Sequence, residues 1–285
     1  MDRSFRILSL KQIKQAGLIN DYVQSVVNKY TKSYKPIEKT EFVKKFESMP
    51  SGPAREQLVY DEVIKRGKPK NLKPVIAKDE NSGTEITYFV MPDFINIDGL
   101  YLPMTGPTAQ KIADAWGMHL PTSKMSRQIY NNAGGKIHPA AMSAGGEIGG
   151  KQYSAQAVVD KMINNSQTSV AYSNRIAQEK AKANSDFLAG HMKDIVQPGL
   201  AKDRLYMQGM YDKDGKAIQG TSEKEESART LHNRDHSEYT SGLRLVGNKI
   251  VVKENGQEKQ MTMEEALKHP KYSKILSHLP GVRKY

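Results

Sequence analysis

Two short stretches concentrate side chains that can move protons or hold charge. They are AGHMKD, with His191, Lys193 and Asp194, and HNRDHSEY, with His232, Asp235, His236 and Tyr239. On a helix, His191 and Asp194 lie one turn apart and share a face, so the imidazole can carry a proton while the carboxylate orients it or polarises a reacting group. Lys193 then points elsewhere, onto a positive rim suited to an anion. His232 and His236 have the same one-turn spacing. A helix continuing through them would offer two imidazoles to a divalent metal ion, with a further ligand from a distant segment. The H-E-x-x-H order of metallohydrolases is missing, which weighs toward a structural or acid–base pair.

The next residues form a second layer. Ser241 becomes a nucleophile only where an imidazole from His191, His232 or His236 reaches its hydroxyl; no G-x-S-x-G elbow surrounds it, and a turn hydroxyl is the commoner role. Arg244 alternates with Leu243 and Leu245. This pattern predicts a strand with its apolar residues in the core and its guanidinium turned toward an anionic substrate group. The expected site therefore has His191, Asp194 and His236 as proton-transfer residues. Lys193, Tyr239, Ser241 and Arg244 hold substrate, and His232 with His236 are the candidate metal ligands. Asp93, Tyr101 and Lys124 are earlier polar residues that folding could add, whereas Asp98 beside Gly99 reads as a turn.

The elements that position these residues come from a chain of 285 residues, 38% hydrophobic and 26% charged, enough apolar material for a substantial core. Helical patterning fills EKTEFVKKFES and PAREQLVYDEVIKR, with Ser51 and Gly52 as the break and Pro53 at a first-turn position. EITYFVM and FINIDGLYL have the β-branched and aromatic content of strands. Thr105 or Thr108 and then Thr122 are N-caps for two helices separated by Gly117 through Pro121. Helix is predicted from Tyr153 until Pro198, with Val158, Val159, Met162 and Ile163 on one face. DRLYMQGMYDKDGKAIQG reads as strand, turn, strand. Ser222 with Glu225, and Thr262 with Glu265, stand in capping-box register, and Asn255–Gly256 is a hairpin turn. The sum is a mixed α/β or α+β fold, a compact sheet with surrounding helices, whose strand order the pattern leaves open. Residues 1–80 are expected as a helical N-terminal extension and 81–285 as the catalytic body, with a glycine-rich loop near 132–151.

The formal charge of +12 favours an anionic partner. Charge alone does not choose between an anionic bacterial polymer and nucleic acid, although an aromatic content of 7% argues against an extended base-stacking platform. The absence of cysteine excludes disulfides, cysteine nucleophiles and thiolate metal sites. No apolar stretch reaches the roughly twenty residues of a membrane span, and the start lacks the apolar region of a secretion signal. A soluble protein is expected, cytoplasmic before any specialised export or phage release.

MPDFINIDG, LPMTGPTAQKIADAWGMHLPTSKM, AGHMKDIV, MYDKDGKAIQ, YTSGLRLV and the final PGVRKY together resemble a family of poorly characterised bacterial proteins, often exported. The resemblance runs discontinuously from about Tyr88 to the end. His191, Lys193, Asp194, Tyr239 and Arg244 are the best-matched polar positions, whereas this chain has Tyr211 and Ser241 where members usually carry His. The resemblance implies an envelope setting and no particular reaction. Combined with the charge and the polar clusters, it leads to the expectation of a hydrolase acting on an anionic envelope polymer such as peptidoglycan or an attached glycan. A divalent metal is an optional cofactor. The alternative is a noncatalytic basic binding or structural protein, a nucleic-acid binder included.

Overall fold

Alternation of apolar and polar residues builds the first sheet. In the computed structural model, which describes residues 36–138, 147–148, 151–152, 166–212, 214–216 and 229–285, strand β2 (Thr84–Val90) buries every second side chain, including Ile86, Tyr88 and Val90. It pairs antiparallel with β1 (Lys73–Asp79) on one side and with β13 (Val246–Glu254) on the other. β14 (Gln257–Thr262) closes the order β1-β2-β13-β14. Asn255 and Gly256, both at positive φ (51° and 76°), make the tight β13–β14 turn.

One face of this sheet is covered by helices. Met125, Ile129 and Tyr130 come from α4 (Ser123–Asn132), Met263, Ala266 and Leu267 from α6 (Met263–Lys268), and Tyr272, Ile275 and Leu276 from α7 (Tyr272–Leu276). Thr122 accepts from Met125 N at the start of α4 and donates its hydroxyl proton to the Leu276 carbonyl, tying α4 to α7. The Thr262–Glu265 capping box forms as its spacing predicts.

A second sheet has the order β11-β10-β9-β12, from β9 (Lys193–Ile195), β10 (Arg204–Gly209), β11 (Arg229–Asn233) and β12 (Ser241–Gly242). β9 runs antiparallel to β10 and parallel to β12. A separate apolar cluster joins Leu205, Met207, Leu243 and Leu245 to Val43 and Phe46 of α1 (Glu41–Ser48), Val59 and Val63 of α2 (Pro53–Arg66), and Ile112 of α3 (Gly106–Trp116). α5 (Ser166–Lys180) packs its Tyr172 and Ile176 against Tyr101 of the short β3–β4 hairpin (Asn96–Ile97 and Leu100–Tyr101). The mixed α/β architecture expected from the sequence is the one observed, with helices flanking the sheets. Among the described residues no helix is long and apolar enough to cross a membrane.

Three expectations change. The compact unit begins at Pro36 rather than near residue 80, because α1 and α2 bury their apolar faces in the shared core and β1 is a strand of the first sheet. Helix does not continue to Pro198: α5 ends at Lys180, and Gly190 adopts φ 100°, where a Cβ would stand 2.7 Å from the Ile137 carbonyl. The chain then extends into β9. His232 and His236 likewise sit on a strand end and the turn after it. The expected helical segments around Leu10 to Val27 and Val158 to Ile163, and the Ser222–Glu225 box, lie outside the described residues.

Because Thr122 serves two helices at once, Thr122→Ala is expected to lower the unfolding free energy by about 1–3 kcal/mol. Equilibrium denaturation should register that loss and find most of it restored in Thr122→Ser.

Candidate functional site

Backbone pairing draws three distant segments together. Met91 N donates to Leu245 O (3.0 Å) and Ile95 N to Leu243 O (2.8 Å), lacing 91–95 against 243–245. Met210 N donates to Met192 O (3.1 Å) and Tyr211 N to Gly190 O (3.2 Å), while Lys193 and Asp194 pair with Ser241 and Gly242. Leu243 and Leu245 are fully buried, and Arg244 between them, expected to face a site, is buried with them.

Arg244 is 0% exposed. Its Cζ lies 4.0 Å over the Phe94 ring and its Nε 3.6 Å from Asp194 Oδ1, an ion pair longer than a hydrogen bond. None of its three guanidinium nitrogens has a hydrogen-bond partner among the described residues. Asp194 accepts instead from Ser126 of α4, whose Oγ donates to Oδ2 at 2.5 Å. Burial pushes the Asp194 carboxyl up to about 6, against the pull of Arg244 and the Ser126 hydrogen bond.

His191 also contacts Phe94. The rings of Phe94 and Tyr101 each meet the imidazole edge-to-face at 5.1 Å, and Nε2 lies 3.0 Å from Asp93 Oδ1. Asp93 also accepts from the Tyr101 hydroxyl and the Lys180 ammonium, both at 2.8 Å. Burial works to raise the Asp93 carboxyl, but the charges and hydrogen bonds of His191 and Lys180 overcome it and hold the group well below the usual carboxylate range. Burial also lowers the His191 imidazole, with Asp93 opposing. An ionised Asp93 beside a neutral imidazole assigns the proton to Nε2. Nδ1, buried and without a protein hydrogen-bond partner among the described residues, then carries the free lone pair.

Successive side chains of β9 point to opposite faces, so Lys193 leaves Asp194 for a different group. Its ammonium meets Glu238 Oε1 at 2.5 Å, and Thr240 Oγ1 donates to the same oxygen at 2.6 Å. His232 and His236 stack nearby, ring centroids 3.8 Å apart. Burial and the neighbouring His232 lower His236 to about 4. Ser241 is a turn hydroxyl: it accepts from Glu238 N (3.2 Å) and faces Met207 Sδ, fully buried. Tyr239 packs edge-to-face on Tyr172 at 4.8 Å.

The expected residues thus divide into two groups. His191, Asp194 and Arg244 gather around Phe94. Lys193, His232 and His236 gather around Glu238, and no hydrogen bond or ring contact among the described residues joins His236 to His191. Asp235 is exposed, and the residue that orients His191 is Asp93. Phe94, Ser126, Lys180 and Glu238 escaped the sequence reading. Glu238 stood inside HNRDHSEY, but the other three had no local signal, since their partners lie far away in the chain. No protein-family model, curated protein or solved structure matches the chain.

Unfolded, Asp194 releases its proton near the ordinary 3.8, whereas folded it does so near 6. Between those values the folded chain keeps a proton that the unfolded chain has lost, so this residue makes the fold less stable as pH rises through the window, by on the order of 3 kcal/mol when complete. Carboxyl-carbon NMR should find Asp194 titrating near 6 and moving higher in Ser126→Ala, which removes a bond to the ionised form. An Asp194 titration near 4, or one indifferent to Ser126, would contradict the arrangement.

Proposed function

We propose that the protein is an acid–base hydrolase of an anionic polymer, with peptidoglycan or an attached envelope glycan as the substrate class. The observation that carries this reading is the meeting of an Asp93-oriented imidazole with a buried guanidinium that has no hydrogen-bond partner among the described residues, both around Phe94. His191 Nδ1 takes a proton from water as the water oxygen attacks the scissile centre, and Asp93 stabilises the imidazolium that forms. Arg244 binds the negative group of the substrate or of the transition state. Asp194, held near 6, gives its proton to the leaving group. A base pushed down and an acid pushed up, a few side chains apart, are the pairing that lets one site take and give protons near neutrality.

The overall charge of +12 supports an anionic substrate. The resemblance to exported bacterial proteins supports an envelope setting, and the two positions where those proteins carry His, Tyr211 and Ser241, both adjoin the second sheet. Tyr211 donates its backbone N–H to Gly190 O, next to His191. A cavity of about 190 Å³, lined partly by Trp116 and Arg66, extends to Asp93 and Phe94.

A second reading, a noncatalytic polyanion-binding protein, is favoured by a different observation. His191 and Arg244 are both 0% exposed, while Lys78, Lys124, Lys271 and Lys274 line an open cleft of about 590 Å³ on the surface. In that case the inner network organises the fold and the lysine cleft does the binding.

Incubation with defined envelope polymers followed by mass spectrometry of the products separates the two. On the hydrolase reading the wild type releases fragments, and His191→Asn and Asp93→Asn each lose about 10²–10⁴-fold in rate while remaining folded. Activity falls as pH rises past about 6, where Asp194 ionises. No cleavage of any polymer, together with salt-sensitive binding abolished by Lys124→Glu and Lys274→Glu, would establish the second reading instead.

A further inference from the structure

The group around Glu238 has a geometry that the proposed hydrolytic site does not use. β11 ends at Asn233, and the next residues are pinned from both sides: Arg234 N donates to Asp203 O (2.8 Å), and Gly106 N donates to Arg234 O (3.0 Å). His236 N donates back to Asn233 O (3.1 Å), which folds the chain so that the His236 ring lies on the His232 ring at an interplanar angle of 11°. Ser237 is held by Arg55 Nη2 (3.0 Å), and the Glu238 turn is closed by Ser241 N on Glu238 O (2.9 Å). The backbone that carries all three side chains is therefore fixed before any ligand arrives.

One ring nitrogen from each histidine and one Glu238 oxygen all lie within 4.8 Å of one another. His236 Nε2 is shielded from water and has no hydrogen-bond partner among the described residues, a condition rare for a buried ring nitrogen. Lys193 and Thr240 both hold Glu238 by Oε1 and none of the described hydrogen bonds falls on Oε2, so the carboxylate is oriented in the way that ligating carboxylates usually are.

We propose that His232, His236 and Glu238 form a binding site for one divalent transition-metal ion of the zinc class. Two imidazoles and a carboxylate are a donor set that leaves a fourth, open position on a tetrahedral ion. Bonds of about 2.0–2.1 Å place tetrahedral ligand atoms roughly 3.3 Å apart. The imidazoles reach that spacing by turning out of their stack, a movement of half-buried side chains on a fixed backbone. With no cysteine in the chain and only one carboxylate in the set, the site suits zinc, nickel or cobalt better than calcium or magnesium. The ammonium of Lys193 opposes a second cation, which sets the affinity below that of a closed structural zinc site.

The full chain, stripped with chelator and titrated with cobalt(II) chloride, tests this without reference to catalysis. Visible absorption should grow to saturation at one equivalent, zinc chloride should displace the band, and zinc should raise the melting temperature. His232→Ala and His236→Ala should each abolish the saturable band while the far-ultraviolet circular dichroism stays that of the wild type. His119→Asn, at an exposed histidine bonded to Asn248, should leave it intact. The histidine variants decide the matter even if Glu238→Gln, which strands Lys193, fails to fold. Absence of a one-equivalent band, or a band that persists in His236→Ala, overturns the assignment and leaves Glu238 as the partner of Lys193 and Thr240.

Discussion

A guanidinium sealed from water is the constraint around which the interior is arranged. Arg244 cannot retreat to solvent, because Leu243 and Leu245 on either side are fully buried and their carbonyls are bonded to Ile95 and Met91. Its charge is met by one carboxylate at 3.6 Å and one aromatic face at 4.0 Å. The same two backbone bonds that fix Arg244 also fix the segment carrying Asp93 and Phe94. Position and compensation therefore arise from one piece of pairing. Removing one member of a buried ion pair typically costs about 3–5 kcal/mol because the other is left uncompensated, so Arg244 and Asp194 depend on each other.

Much of the fold was legible in short-range signals. Thr122, Thr105 and the Thr262–Glu265 box announce helix starts because a cap needs only the residues three positions on. Asn255–Gly256 announces a hairpin because few other dipeptides adopt two positive φ values. The site was legible only in part. A spacing of four residues suited His232 and His236 to a helix, yet a strand end folded back through a turn brings the same two rings together. The two local pictures predict the same proximity from opposite backbones. AGHMKD also fits a helix on spacing, but Gly190 and the pairing of β9 with two neighbours decide for extended chain. Asp93 and His191 are 98 residues apart, and the bond from Leu188 N to Pro92 O, with the lacing of 91–95 to 243–245, brings the acid to the imidazole.

β9 then divides the chemistry. Lys193 and Asp194 are adjacent in sequence and both are buried, but the pleat sends one to Glu238 and the other to Arg244. Each face neutralises its own charge, so neither needs a solvent-exposed partner. The strand is held between β10 and β12, and a shift of one residue in its register would exchange the two faces, placing an ammonium against a guanidinium and a carboxylate against a carboxylate. Electrostatics thus reinforces the register that hydrogen bonding selects. This also explains why two polar clusters can lie so close in sequence without merging into one site.

The inner cluster is connected to the surface by hydrogen bonds. Lys180 is largely exposed and bonds Asp93, which bonds His191, so a chain of hydrogen bonds runs from solvent to a fully buried imidazole. Phe94 and Tyr101 wall the imidazole on two sides, and Tyr101 also bonds Asp93. An ionised Asp93 between an ammonium and an imidazole can share its hydrogen bonds without taking the proton itself, because both neighbours favour its charged form. Burial strengthens each of these interactions relative to water. It also leaves the Nδ1 lone pair without a competing hydrogen bond among the described residues. Asp93 therefore fixes which imidazole nitrogen carries the proton and which the lone pair.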